Sequence, residues 1–176
     1  VRLLITDTRV VRSTKELVAR VSQQKEQDPT RVDAAFSMIQ HLSAEAKRLL
    51  RDSSLSRTDL ISSLSLLMDL NHLQLVQLQV GHAALEVVRR LCAERHLRAK
   101  LTGAGGGGCA ITLLKDNMSD AAIEELVLAM REQDFLTYET QVGGPGIGVL
   151  VHPNEHATNL GADATWAEQC GTWIYA

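Results

Sequence analysis

Cysteine, aromatic residues and net charge are all scarce in this 176-residue chain, and each scarcity excludes something. The three cysteines, Cys92, Cys109 and Cys170, are too scattered for a disulfide framework, form no C-x-x-C pair and share no zinc spacing with histidine. A reducing compartment fits that usage. Two Phe, two Tyr and two Trp argue against a stacking surface for single-stranded nucleic acid. A net charge of -3 without a long basic run gives no electrostatic basis for binding nucleic acid or an anionic membrane. No apolar run approaches the roughly 18–20 residues of a membrane-spanning helix, and no signal-peptide pattern opens the chain. The chain begins at Val1, directly in an apolar strand-like run. The expectation is a piece of a longer protein whose N-terminal part lies elsewhere.

What the chain does have is aliphatic patterning on the scale of one domain. Val1 to Thr8 is apolar and β-branched and reads as a buried strand. Ser13 and Glu16 form an S-x-x-E capping box ahead of Leu17, Val18 and Val21 at helical spacing. Asp28-Pro29 is a second helix start, followed by a face of Val32, Phe36, Ile39, Leu42, Ala46 and Leu49. After a polar connection, a third helix is expected from about Asp59 to Gln79, with Leu60, Leu64, Leu67, Leu75 and Leu78 on its stripe. Gly81 breaks it, and His82 opens a fourth, from Ala83 to about Arg95. Ala110 to Leu114 reads as a short buried strand, and Ser119 or Asp120 caps a helix through Arg131. Phe135 to Val142 alternates as a strand, with Leu136, Tyr138 and Val142 on one face. Gly143-Gly144-Pro145-Gly146 is a turn into a last strand of Ile147, Val149 and Val151. The order β, four helices, β, α, β, β, closing in a hairpin, predicts an α+β domain with helices packed on one face of a mostly antiparallel sheet. Residues 152–176 hold both Trp residues and show no clear period.

The densest signal is K-L-T-G-A-G-G-G-G-C, residues 100–109. Five glycines in six positions lose a large backbone entropy on folding, so the loop must return something for them. Gly103 to Gly108 matches the letters G-x-G-x-x-G, but that fingerprint must leave a strand and open a helix, whereas this loop is expected to leave a helix and enter a strand. A Walker A loop fails because Cys109 stands where lysine is required. Two readings stay open: a structural turn using the glycines for φ > 0, and a nest of backbone N–H groups around an anion.

With A-I-T-L-L after it, the loop resembles the third conserved motif of the GHMP kinases, and most closely that of their mevalonate kinase branch. L-L-I-T-D-T-R-V-V-R-S-T-K-E-L-V-A-R-V, M-D-L-N-H-L-Q-L-V-Q-L-Q-V-G-H-A-A-L-E and Y-E-T-Q-V-G-G-P-G-I resemble further segments of that branch, in order, over residues 1–151. The resemblance implies a GHMP kinase C-terminal domain at 1–151, a divergent tail at 152–176, and an N-terminal catalytic and ATP-binding domain outside the chain. It implies ATP-dependent phosphorylation of mevalonate to 5-phosphomevalonate in isoprenoid and sterol biosynthesis, with Mg2+ held mainly by the N-terminal domain. No catalytic residue or metal ligand is then expected here, and the chain alone is expected to be inactive. Gly103, Gly105, Gly106 and Gly107 would lie beside the ATP phosphates, and Thr102, Ala104 and Arg12 beside the substrate. The resemblance also implies a cytoplasmic or peroxisomal enzyme, with no nucleic-acid or membrane partner, and a parent homodimer. The rival readings are another GHMP kinase, and a non-catalytic small-anion-binding or protein-interaction module of the same fold.

Other polar residues carry two readings each. Thr6, Asp7, Thr8, Ser13 and Thr14 flank the first turn, as a strand end plus a cap or as substrate contacts; Arg12 is the best basic candidate there, because a helix N-terminus attracts anions. Asn71 interrupts the third helix's stripe and reads as a satisfied polar contact or a group near the cleft. His72 with Asp69 reads as an exposed helix pair or an acid–base pair.

Overall fold

The computed structural model describes residues 1–143 and, as backbone, 148–151 and 172–175. The chain divides into two compact units, Val1–Gln141 and Val142–Ala176.

The first unit runs β1 (Arg2–Asp7), α1 (Thr14–Gln27), α2 (Pro29–Arg51), α3 (Arg57–Gln77), α4 (Ala83–Ala93), β2 (Arg98–Leu101), β3 (Cys109–Leu113), α5 (Asp120–Arg131) and β4 (Leu136–Gln141). The sheet order is β2-β3-β1-β4, with every neighbouring pair antiparallel. This is the α+β arrangement the patterning predicts, with helices on one face of the sheet.

Register and burial explain the layering. Ala99, Thr112 and Leu4 stand side by side across three strands, as do Leu101, Ala110 and Thr6, and all six are buried. Leu4, Ala99, Leu101 and Ala110 meet Leu85, Val88 and Cys92 of α4 and Ile123, Leu126 and Met130 of α5 in the main core. A second core joins Val32 and Ala35 of α2 to Leu78 and Val80 after α3. The opposite sheet face carries Lys100, Ile111, Ile5 and Tyr138 in one row.

The helix starts follow the caps the sequence shows. Ser13 Oγ accepts the Glu16 N–H at 3.3 Å and Asp28 Oδ1 accepts that of Arg31 at 3.1 Å. His82 Nδ1 and Ser119 Oγ do the same for α4 and α5. The helix ends are less legible. α3, α4 and α5 each close through a left-handed non-glycine residue, Gln79, His96 and Asp134. Behind them the Val80, Leu97 and Phe135 amides donate back to Leu75, Cys92 and Met130.

Three expectations need correction. The glycine loop leaves a strand, not a helix: α4 ends at Ala93, and four residues, R-A-K-L, form β2 before the loop. His72 is buried at 5% exposure, because the leucines of α3 surround its axis and packing against α2 and β2 leaves Ile61 and His72 buried while Leu66, Leu70, Leu73 and Val76 stay exposed. The last hairpin forms with a different partner: β4 pairs with β1, whereas β5 (Gly148–Val151) pairs with β6 (Thr172–Tyr175), an apolar T-W-I-Y run that supplies the ladder. The rest of the 143–146 turn after Gly143, and most of the 152–176 tail, lie outside the described residues.

Candidate functional site

The loop between β2 and β3 is held at three points. At its base, the Thr102 N–H and Oγ1 both donate to the Cys109 carbonyl, at 2.9 and 3.2 Å. At its far side, the Gly108 carbonyl accepts the Thr8 N–H at 3.0 Å and the Thr8 hydroxyl at 2.8 Å, which ties the loop to the end of β1. At its crown, the Gly106 N–H donates to the Val80 carbonyl at 2.8 Å, which ties it to the α3–α4 connection.

All five glycines take positive φ, while Ala104 does not. Four of them also have no room for a Cβ. One on Gly105 would stand 2.1 Å from the Val80 carbonyl oxygen, one on Gly106 2.7 Å from Leu17, and one on Gly107 2.6 Å from Val10. At Gly108 it would stand 1.0 Å from Nη1 of Arg12, so the guanidinium occupies the space this glycine leaves. The structural-turn reading is therefore correct as far as it goes: the run lets three segments close on one loop.

The same geometry leaves donors over. Among the described residues, the amides of Gly103, Ala104, Gly105, Gly107 and Gly108 make no hydrogen bond, while that of Gly106 is committed to Val80. Among the described residues Arg12 forms no ion pair, in contrast to Arg9, which holds Asp134 at 3.0 Å. Arg12 immediately precedes Ser13, the cap of the fourteen-residue α1, whose N-terminal dipole adds positive field on the same side. Free amides, an uncompensated guanidinium and a helix N-terminus together suit a polyanionic oxygen ligand.

An apolar groove of about 300 Å³ adjoins the loop, lined by Leu17, Val18, Val21, Phe36, Val80 and Ala104. Ala104 is the loop's single contribution to it. Of the residues singled out in the sequence, the structure thus gathers Arg12, Ala104 and Gly103 to Gly107 in one place; Thr102 lies at the base with its hydroxyl turned to the loop's own backbone. Thr8, which carried two readings in the sequence, spends its hydroxyl on the loop's own backbone, and Gly108, Val10 and the Val80 carbonyl were not singled out as site groups. The fifth glycine was the only signal for Gly108, and nothing local marks Val80.

His72 lies apart from this cluster of contacts. Its Nε2 stands 3.4 Å from Oε1 of Glu86 on α4, and its buried Nδ1 has no hydrogen-bond partner among the described residues. Burial, and next the Arg89 charge, push its pKa below the ordinary value. Asp69, expected beside His72, holds Arg98 and Arg89 instead. No group of three or more potential metal-ligating side chains occurs among the described residues.

Residues 54–132 match the family model described as "GHMP kinases C terminal". The chain is 37% identical over 153 residues to the mevalonate kinase of Candida albicans, covering 86% of this chain and 35% of that protein. It is 38% identical over 149 residues to that of Bos taurus, covering 84% of this chain and 38% of that protein. Among solved structures, the L. major mevalonate kinase in complex with R-mevalonate superposes with a TM-score of 0.66 at 25% identity, over 80% of this chain and 42% of that one. The Methanococcus jannaschii mevalonate kinase does so with a TM-score of 0.60 at 26% identity, over 78% and 38%. The chain therefore spans well under half the length of the relatives it matches.

Proposed function

We propose a function on the premise that this chain belongs to the GHMP kinases and carries their C-terminal domain. It is the C-terminal part, residues 1–151, of an ATP-dependent kinase that phosphorylates the primary hydroxyl of mevalonate, and it does not turn over by itself. The observation that carries this reading is the coincidence of the family resemblance with a loop whose free amides and neighbouring Arg12 suit a phosphorylated ligand.

Phosphoryl transfer spreads negative charge over three equatorial oxygens, and catalysis is mostly positioning and electrostatic stabilisation. The Gly103, Gly105 and Gly107 amides supply fixed donors for that charge, held in place by Thr8, Val80 and Thr102 and needing no reorganisation. Arg12, seated over Gly108, adds a cation at the loop. The groove at Ala104 receives the short carbon skeleton of the alcohol, with Leu17 and Val80 excluding water from it. When bound beside ATP, Mg2+ would neutralise phosphate charge; no group of three or more potential metal-ligating side chains occurs among the described residues, and in this reading the Mg2+ ligands and the catalytic acid belong to the N-terminal domain. The compartment is the cytoplasm or the peroxisome, and no helix of the described residues is long and apolar enough to cross a membrane. The parent is a homodimer.

The test is a chimera in which residues 1–151 replace the matching part of the Bos taurus mevalonate kinase. The expected result is ATP-dependent phosphorylation of mevalonate by the folded chimera and none by the isolated chain. A folded chimera that leaves mevalonate untouched overturns the assignment. If it then phosphorylates another small alcohol, the chain serves another GHMP kinase; if it only binds phosphate, the chain is a non-catalytic anion-binding module.

A further inference from the structure

The β2–β3 hairpin has two ends. One carries the glycine loop. The other, where Arg98 stands opposite Leu113, borders a cavity of about 580 Å³ between the first half of α3, the turn ahead of β2 and the β3–α5 connection. That is the size of a small-molecule site. The length of β2 separates it from the glycine loop, roughly 10 Å along the strand.

Its chemistry is uneven. Ile61 forms a buried apolar floor. Ser62 and Ser65 present hydroxyls from one helix face; Ser65 donates to the Ile61 carbonyl at 2.8 Å, whereas the Ser62 hydroxyl has no partner among the described residues. Both carboxylates in the wall are already taken. Asp69 is shared between Arg98 at 2.5 Å and Arg89 at 3.4 Å, and Asp116 holds Arg57 at 2.7 Å. Lys115 faces the same cavity without a carboxylate in ion-pair range among the described residues, and Asn117 stands beside it. The cavity thus offers one uncompensated cation, uncommitted hydroxyl and amide donors, and an apolar floor.

We propose that this cavity is a second binding site, separate from the glycine loop, for a small organic anion: a carboxylate or phosphate on a short carbon chain. Lys115 meets the charge, Ser62 and Asn117 donate to its oxygens, and the carbon chain rests on Ile61. A cation is disfavoured, because each acidic group in the wall already carries a guanidinium.

The test titrates the 15N-labelled 176-residue chain with butyrate, with butyl phosphate and with butanol as the neutral control, following backbone amide shifts. The expected result is saturable shifts at Ser62, Ser65, Lys115 and Asn117 with at least one anion, none with butanol, and affinity at least about fivefold weaker in Lys115→Gln. Response to butyrate alone assigns a carboxylate ligand, and response to butyl phosphate alone a phosphate ligand. Lys115 and Asn117 are exposed, so both substitutions should leave the fold intact, which circular dichroism checks. Should Lys115→Gln fail to fold, Asn117→Ala, expected to weaken binding at least about twofold, decides. No saturable shift with either anion, an equal response to butanol, shifts confined to Gly103–Gly108, or affinity unchanged by the substitutions would overturn the proposal.

Discussion

Replacing Gly105 by alanine should unfold the chain at a markedly lower temperature than the same change at Gly103. Both glycines have positive φ, +84° and +66°, so both variants bear the left-handed penalty of about 1–2 kcal/mol, partly offset by roughly 0.4–1 kcal/mol from a stiffer unfolded chain. The surroundings differ. At Gly103 the new methyl meets nothing within 4 Å, whereas at Gly105 it stands 2.1 Å from the Val80 carbonyl oxygen, a backbone atom with no rotamer to escape into. Restoring ordinary contact, 3.4 Å or more, pushes the loop away from Val80 and stretches the 2.8 Å Gly106–Val80 hydrogen bond beside it. Overpacking of about 1–3 kcal/mol and a lost hydrogen bond of about 0.5–1.5 kcal/mol make Gly105→Ala costlier than Gly103→Ala by roughly 1.5–4.5 kcal/mol. At about 2–4 °C per kcal/mol for a chain of this size, the Tm of Gly105→Ala should lie roughly 3–18 °C below that of Gly103→Ala, which itself falls by roughly 6 °C or less. Thermal unfolding of both variants by circular dichroism is the assay. A Gly105→Ala variant as stable as Gly103→Ala would refute the idea that Val80 sets the loop's shape.

Arg12→Gln should lower kcat/KM of the chimera by roughly 10- to 150-fold, the loss of one charge-assisted contact of about 1.5–3 kcal/mol, while moving stability by no more than about 0.5 kcal/mol. A loss of stability without a loss of turnover would make Arg12 only a filler over Gly108. Ala104→Thr should raise the KM for mevalonate roughly 5- to 150-fold through about 1–3 kcal/mol of overpacking in the groove, with the KM for ATP changing much less; equal shifts in both constants would mark the loop as a hinge instead. His72 gives a pH prediction. Burial depresses its folded pKa, so the unfolded state binds the proton more readily, and stability is full above the unfolded value of about 6.5 and is lost as pH falls from there toward the folded value. Glu86 and Arg89 from α4 and Asp69 from α3 bear on this titration, the two acids opposing the depression. Urea midpoints of wild type and His72→Gln at pH 7.5 and 5.5 should show the smaller acid loss in the variant; equal losses would remove His72 from the account.

Where a residue's role depends on its immediate neighbours, the sequence showed it. Ser13, Asp28, His82 and Ser119 cap the helices they precede because a cap needs only a side-chain acceptor and an amide two or three residues on. β2 was hidden for the converse reason. Four alternating residues carry too little period to recognise, and α4 closes through His96 rather than the glycine that would mark its end. The burial of His72 is not legible because leucines surround α3 on every side, so only its packing against α2 and β2 decides which face is buried. At the loop, the glycine run announced itself, but its reasons did not. Leu17, Val10 and Arg12 arrive from the start of the chain and Val80 from an interhelical connection, and each fills the place of a different absent Cβ. The engagement of the Gly106 amide by Val80 could not be read from the loop itself.

The most direct measurement is a crystal structure of the chimera with R-mevalonate and a non-hydrolysable ATP analogue bound. Phosphate oxygens should lie within hydrogen-bond distance of the free Gly103, Gly105 or Gly107 amides, Arg12 should be turned toward them, and the mevalonate carbons should touch the Ala104 methyl. Both ligands bound with these amides still facing solvent, and Arg12 still seated over Gly108, would contradict the account.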